Sequence, residues 1–166
     1  MVDESTVGLL REKHQTTSLP VLVDSRFRLT SFTALTAATP NGDELEHLID
    51  GPISSVEQLE LKASDLKRRL GHKALLVTRG SQGMMLIEDG NAPLHIAAVG
   101  GDQPVDVTGA GDTVIATFTL ALAAKASFTQ AAQLANYAGG LVVMKRGTAS
   151  VTPQELEHSI LNSEAQ

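Results

Sequence analysis

The sequence contains no cysteine and no tryptophan, and it has only one tyrosine. Without cysteine the chain cannot form a disulfide, a thiolate metal site or a thiol nucleophile. Aromatic residues make up 3% of the chain, which argues against the stacking platforms that bind single-stranded nucleic acid. The net charge of −6 argues against contact with a phosphate backbone, which needs clustered basic residues. We therefore expect no nucleic-acid partner and no thiol chemistry.

Long apolar runs are also lacking, since no stretch reaches the length of a membrane span. The first residues, MVDESTVGLL, do not have the basic and then apolar layout of a signal peptide. The five histidines are scattered and show no zinc-binding spacing such as H-E-x-x-H. These absences predict a cytoplasmic protein without a membrane segment or a histidine-held metal.

Helical and strand-like segments alternate along the chain, which predicts an α/β fold of packed layers. The apolar run at residues 73–78 predicts a central strand buried on both faces, as in parallel sheets. Apolar residues recur at helical spacing over residues 54–70, and alanine-rich stretches at 111–125 and 129–145 predict closely packed helices. No repeat or linker interrupts this pattern, so we expect a single domain over residues 1–166.

The most informative stretch is a glycine-rich turn, DVTGAGDT at residues 106–113, directly before an apolar helix. Glycines there free backbone N–H groups to point at one anion, and the helix N-terminus adds partial positive charge. A Walker A loop is excluded because no lysine follows these glycines, and Val114 stands where the dinucleotide fingerprint needs a small residue. A plain helix start capped by Asp112 is the alternative explanation.

Asp106 to Asp112, written DVTGAGD, resembles the C-terminal signature of the ribokinase-like (PfkB) family of carbohydrate kinases. The resemblance implies a three-layer α/β fold with a parallel-rich sheet between helices. It also implies transfer of a phosphoryl group from ATP, with Mg²⁺, to a sugar hydroxyl. By this resemblance Gly109, Ala110 and Gly111 form the anion hole, and Asp112 is the base that takes the hydroxyl proton.

Asn41 and Glu44 lie in the segment TPNGDE and have two explanations. The spacing is that of a capping box, in which the two residues satisfy each other's backbone at a helix start. It also resembles the N-x-x-E motif of the same family, in which the glutamate orders magnesium-bound water near the phosphates. Capping and this function are compatible, so the resemblance implies that both residues face the nucleotide.

Four further residues are implied to line the nucleotide site. The segment VTRGSQGM could be a plain strand–turn–strand, but it resembles the family segment that carries the nucleotide, which implicates Thr78 and Gly80 together with Gly83. Asn136 could be a polar side chain beside a small-residue helix contact, whereas the family places an asparagine here at the border of the adenine pocket.

Many family members also coordinate a monovalent cation with the first aspartate of the signature and with carbonyls of a later loop. By resemblance Asp106, Thr108 and Ser150 are candidate ligands, and potassium is the expected ion.

The resemblance extends from about Pro20 to Pro153 and is strongest to bacterial heptose-7-phosphate kinases, which favours a sugar phosphate, heptose 7-phosphate, as acceptor. Nothing before Pro20 resembles the family's sugar-binding and lid half. We therefore expect a partial kinase domain, its C-terminal nucleotide-binding half, with an apolar sheet edge open to a second copy or to a chain that supplies the missing half. A non-catalytic nucleotide-binding module and a plain α/β scaffold remain the alternatives.

Overall fold

A computed structural model describes residues 4–49, 51–100 and 104–164 of the chain. The chain divides into two compact units. The first consists of Met1–Arg79 and Met85–His95, and the second of Gly80–Met84 and Ile96–Gln166. The single domain expected over residues 1–166 stays a prediction.

The first unit is built on a sheet of five strands, in which the strands lie side by side in chain order. The strands are β1 (Leu22–Val23), β2 (Ala37–Ala38), β3 (Ala74–Thr78), β4 (Met84–Glu88) and β5 (Leu94–Ile96). The first three strands run parallel, with Leu22 opposite Ala37 and Ala37 opposite Ala74. The central strand β3 is buried along its apolar run, as its sequence predicts. The sheet as a whole is mixed, and the predicted α/β fold is confirmed.

Three helices accompany this sheet: α1 (Glu4–Thr16), α2 (Gly42–Leu48) and α3 (Val56–Leu70). The longest, α3, begins after the N-cap Ser55, whose side chain accepts the N–H of Gln58, and ends at Gly71 in the left-handed conformation. Its apolar stripe enters the core through Leu59 and Leu66, among others, whereas Val56 in the first turn is 40% exposed. The periodicity thus predicts the buried face correctly except at the helix start.

The second unit consists mainly of three helices: α4 (Ala110–Ala123), α5 (Phe128–Val142) and α6 (Pro153–Glu164). The helices α4 and α5 pack closely because small residues line their contact. A Cβ atom on Gly139 of α5 would lie 3.0 Å from Val114 Cγ2 of α4. At the ends of this contact the rings of Phe118 and Phe128 lie 6.3 Å apart. The alanine-rich sequence therefore gives the close helix packing that it predicts.

Within the described ranges, the structure contains no helix that is both long and apolar enough to cross a membrane.

Candidate active site

The glycine-rich turn leads into α4 through a backbone conformation that the sequence pattern does not reveal. Gly109 is the N-cap residue and has φ +80°, in the left-handed region that favours glycine. No side chain caps this helix start. Asp112 lies two residues after Ala110, the first helical residue, so the alternative in which Asp112 caps the helix is wrong. In the described part of the chain its exposed carboxylate has no hydrogen-bond or ion-pair partner.

Backbone N–H groups at this turn are left without acceptors. A helix start leaves its first N–H groups without partners inside the helix. The N–H of Ala110 donates to Val107 O at 3.2 Å, and that of Thr113 donates to Gly109 O at 3.0 Å. Across residues 4–49, 51–100 and 104–164, no acceptor is found for the N–H groups of Gly109, Gly111 and Asp112. The geometry therefore offers three donors to an anion, while Ala110, also predicted to form the hole, has its N–H engaged.

Asp106 holds this turn against the loop that follows α5. Its Oδ1 accepts the N–H of Thr108 at 2.9 Å, and its Oδ2 accepts the N–H of Gly147 at 3.0 Å. Its own N–H donates to Val143 O at 3.1 Å. The hydrogen bonds from Thr108, followed by that from Gly147, lower the pKa of the Asp106 carboxyl. Asp106, the first aspartate of the signature, is thus ionised and joins the signature turn to the loop after α5 by hydrogen bonds.

The Ser150 carbonyl, predicted to coordinate a monovalent cation, is engaged by a lysine. Lys145 Nζ lies 2.7 Å from Ser150 O and 2.7 Å from Glu155 Oε1. The ammonium of Lys145, followed by the N–H and hydroxyl of Thr152, lowers the pKa of Glu155 to about 2. Sequence reasoning missed this contact, because no motif spacing links Lys145 to Ser150 or Glu155.

Gly83 and Asn136 meet on the segment that follows β5. Gly83 has φ +81°, and a Cβ atom there would lie 2.0 Å from Ile96 O. Asn136 is buried, and its Nδ2 donates to Ala97 O at 2.7 Å. The acceptor Ala97 directly follows the end of β5 at Ile96. Gly80, with φ +54°, begins the short 3₁₀ turn before Gly83.

A cleft of about 450 Å³ opens beside Asn136 within the second unit. Its walls include Val99, Leu134 and Tyr137. No motif marks Gly140, yet a Cβ atom there would lie 1.9 Å from Val99 O. The cleft is mostly apolar with a few polar groups, the composition that is typical of small-ligand sites.

In the first unit, Asn41, Glu44 and Thr78 lie close together. The N–H of Glu44 donates to Asn41 Oδ1 at 2.9 Å, and the N–H of Asn41 donates to Glu44 Oε2 at 3.0 Å, which completes a capping box at the start of α2. Asn41 also pairs in parallel with Thr78, whose N–H donates to Pro40 O at 3.0 Å. The end of β3 therefore fixes where the capping box lies.

Arg26 is a residue of this site that sequence reasoning missed. Its Nε lies 3.6 Å from Glu44 Oε1. The Arg26 side chain is 71% exposed, whereas the Glu44 side chain is only 11% exposed. With the neighbouring Phe27, which is 79% exposed, it lines a cleft of about 320 Å³ that also contains Asp43 and His47. No motif spacing links Arg26 to Glu44, because the contact arises only from the fold.

Comparison with known proteins identifies the family. The sequence profile of the pfkB family carbohydrate kinases matches residues 10–155. The chain belongs to this family. The match covers the whole of the stretch, from about Pro20 to Pro153, on which the resemblance rests.

Curated relatives from bacteria are bifunctional HldE proteins. The chain is 43% identical over 143 residues to that of Nitrosococcus oceani, and this alignment covers 86% of the chain and 30% of the relative. It is 41% identical over 150 residues to that of Aeromonas hydrophila, covering 90% of the chain and 31% of the relative. The chain thus spans about a third of the length of these relatives.

Solved structures confirm the ribokinase-like fold. The ribokinase of Arabidopsis thaliana, complexed with ribose and ATP, superimposes with a TM-score of 0.82 at 24% identity, covering 95% of this chain and 51% of that one. Escherichia coli phosphofructokinase-2 in complex with potassium superimposes with a TM-score of 0.84 at 20% identity, covering 98% and 53%. Both are about twice as long as the part of them that this chain matches.

Magnesium, which membership of this kinase family implies, fits the donor set around Glu44. Among the described residues no group of three or more His, Asp or Glu side chains could hold a metal ion directly. Glu44 Oε2 is committed to the Asn41 N–H, but Oε1 lies 3.6 Å from Arg26 Nε, beyond a direct hydrogen bond, and can accept from water. This arrangement suits a hydrated Mg²⁺ held mainly by phosphate oxygens.

Proposed function

We propose that this chain carries the ATP-binding and phosphoryl-transfer groups of a carbohydrate kinase, with a sugar phosphate, heptose 7-phosphate, as the favoured acceptor. The observation that carries the proposal is the unpartnered carboxylate of Asp112 beside the free N–H groups of Gly109, Gly111 and Asp112. Family membership and the HldE relatives support it. A cytoplasmic location, where ATP is available, is part of the proposal.

The turn stabilises charge and Asp112 moves the proton. Phosphoryl transfer needs little covalent help from a protein and depends on positioning and on neutralising spread-out negative charge. The three N–H groups and the N-terminus of α4 supply that neutralisation to the γ-phosphate. The acceptor hydroxyl gives its proton to the Asp112 carboxylate as its oxygen bonds to phosphorus, and ADP leaves. A bound Mg²⁺ would add charge neutralisation, and Glu44 would hold one of its waters.

The nucleotide is proposed to contact Thr78, Gly80 and Gly83, with its base near Asn136. Gly80 and Gly83 both have positive φ, the left-handed backbone conformation that favours glycine at each end of this turn. The cleft of about 450 Å³ beside Asn136 is large enough for a base. The buried hydrogen bond from Asn136 to Ala97 supports a positioning role for Asn136 at the border of that cleft.

A second candidate function is nucleotide binding without turnover. The chain covers 51–53% of the solved kinases that it resembles, and an acceptor pocket would need groups beyond those described above. Such a module would act by self-association or by pairing with a chain that completes the domain. Association of either kind stays a prediction, since β1 offers only the two residues Leu22 and Val23 at the edge of the sheet.

Titration calorimetry with Mg·ATP and a turnover assay with heptose 7-phosphate, on the same preparation, test the proposal. Binding together with ADP release that depends on the sugar phosphate is the expected result. Binding without turnover would support the nucleotide-binding module, provided that turnover is absent both with heptose 7-phosphate alone and after an excess of other sugar phosphates is added. Absence of Mg·ATP binding would contradict both and leave an α/β scaffold.

Replacing Glu44 by glutamine separates its two roles. Glutamine also completes a capping box, so the melting temperature should change little, because the pair with Arg26, whose side chain is 71% exposed, contributes at most about 1 kcal/mol. The carboxylate charge is lost, so the Mg²⁺ concentration needed for half-maximal ATP binding should rise about 10-fold or more. Calorimetry over a Mg²⁺ series measures this shift.

Asn41→Ala is the matched control, because it removes the cap but keeps the carboxylate. We expect it to lower stability by about 1 kcal/mol with a smaller change in Mg²⁺ dependence. If Glu44→Gln left the Mg²⁺ dependence unchanged, Glu44 would be a cap only.

A further inference from the structure

The acceptors predicted to bind a monovalent cation are satisfied by the chain itself. Both carboxylate oxygens of Asp106 accept backbone N–H groups, from Thr108 and Gly147. The hydroxyl of Thr108 is also directed to Asp106. The Ser150 carbonyl accepts from the ammonium of Lys145 at 2.7 Å. This donor set does not fit a potassium ion, because a second cation there would meet the positive charge of Lys145.

The ammonium of Lys145 has the charge of a monovalent cation and lies next to oxygen atoms, as a bound cation would. Its ammonium is a compact positive group with hydrogen-bond donors in three directions. Two oxygens surround it at 2.7 Å each, one from the Ser150 carbonyl and one from the Glu155 carboxylate. The pKa of Glu155 is lowered to about 2, so this carboxylate stays ionised at neutral pH. The side chain of Lys145 is 29% exposed, which places the charge partly inside the loop.

In sequence, Lys145 lies between the two residues by which the loop holds the signature turn. Asp106 bonds to Val143 O through its N–H and to the Gly147 N–H through its carboxylate. Lys145 stands midway between Val143 and Gly147 in sequence. Fixing Lys145 therefore fixes both partners of Asp106, three residues before Gly109 in the proposed anion hole.

We infer that the ammonium of Lys145 takes the place of a bound monovalent cation and orders the loop behind the signature turn. In this respect the chain differs from Escherichia coli phosphofructokinase-2, which was solved in complex with potassium. Lys145 is a positioning residue, since it would act through the loop and the signature turn that this loop holds. The inference rests on the proposed function only where it treats the turn as a phosphate site.

Thermal unfolding in KCl and in tetramethylammonium chloride at equal ionic strength tests this inference. The native chain should melt at the same temperature in both salts. Lys145→Met should melt about 2–4 °C lower, as the loss of about 1 kcal/mol predicts for a chain of this size, and KCl alone should restore part of that loss. Mg·ATP affinity should follow the same pattern.

Two variants control for charge. Arg146→Met removes a positive charge one residue away; Arg146 is exposed and has no hydrogen bond or ion pair in the described structure, so this variant should respond to neither salt. Lys145→Arg keeps the charge and should also be insensitive to potassium. A potassium-specific rise in the melting temperature of the native chain would overturn the inference, as would a Lys145→Met variant that potassium does not stabilise. Melting needs no ATP, so a failure of the proposed function would leave this test valid.

Discussion

Asp112→Asn should reduce phosphoryl transfer by about 100- to 10,000-fold, the range typical of losing a general base, and leave the affinity for Mg·ATP nearly intact. Asparagine has almost the same shape as aspartate and cannot take the hydroxyl proton. The Asp112 carboxylate has no partner within the described residues, so its replacement breaks no contact of the fold. The turnover number with sugar phosphate and calorimetry with Mg·ATP, measured on one preparation, give the two values.

Glu57→Gln is the control for this variant. Glu57 also lies in the first turn of a helix, in α3, where the helix dipole favours a carboxylate. Unlike Asp112 it also has hydrogen bonds, involving the Ser55 side chain and its own backbone, so Glu57→Gln should lose at least as much stability as Asp112→Asn, and only Asp112→Asn should lose transfer. Equal loss of transfer and of ATP affinity in Asp112→Asn would indicate a structural role for Asp112 and contradict its assignment as the base.

Local pattern was sufficient for the parts of the candidate site that depend on neighbouring residues. The capping box of Asn41 and Glu44 forms as its spacing predicts, because both partners belong to one helix turn. The alanine-rich pattern likewise predicts the close packing of α4 and α5. At the signature turn the same reasoning identifies the helix start but not its cap. Gly109 is the N-cap residue in the left-handed conformation, and a glycine in the sequence does not by itself reveal which conformation it adopts.

Contacts between distant residues could not be predicted in this way. Arg26 lies near Glu44 because β1 and β2, which precede these two residues, are neighbours in the sheet. The spacing of the two residues in the sequence does not predict this contact. Lys145 follows the end of α5, yet its ammonium contacts Ser150 in the following loop and Glu155 in the first turn of α6. Arg26 and Lys145 each place a positive charge beside a group that a motif identifies, the Glu44 carboxylate and the Ser150 carbonyl. The motifs therefore indicate the chemistry of the site, whereas the fold determines which charges surround it.

Gly83→Ala should be among the most destabilising single substitutions in the nucleotide region. Its φ of +81° costs an alanine about 1–2 kcal/mol. Its Cβ atom would also lie 2.0 Å from Ile96 O and 2.6 Å from Ala98 N, so the backbone must shift, which adds about 1–3 kcal/mol. Displacement of the 96–98 segment would move the Ala97 carbonyl away from Asn136, and affinity for Mg·ATP should fall together with the melting temperature.

Gly90→Ala isolates the contribution of the close approach. Gly90 also has φ +81°, but no atom lies within 4 Å of the Cβ position, so an alanine there pays the conformational cost alone. The melting temperature of Gly83→Ala should therefore fall at least twice as far as that of Gly90→Ala, and only Gly83→Ala should weaken Mg·ATP binding. Equal shifts in the two variants would mean that the 96–98 segment yields without cost. Asn136 would then not depend on Gly83 for its position, because the segment could move without disturbing the Asn136–Ala97 hydrogen bond.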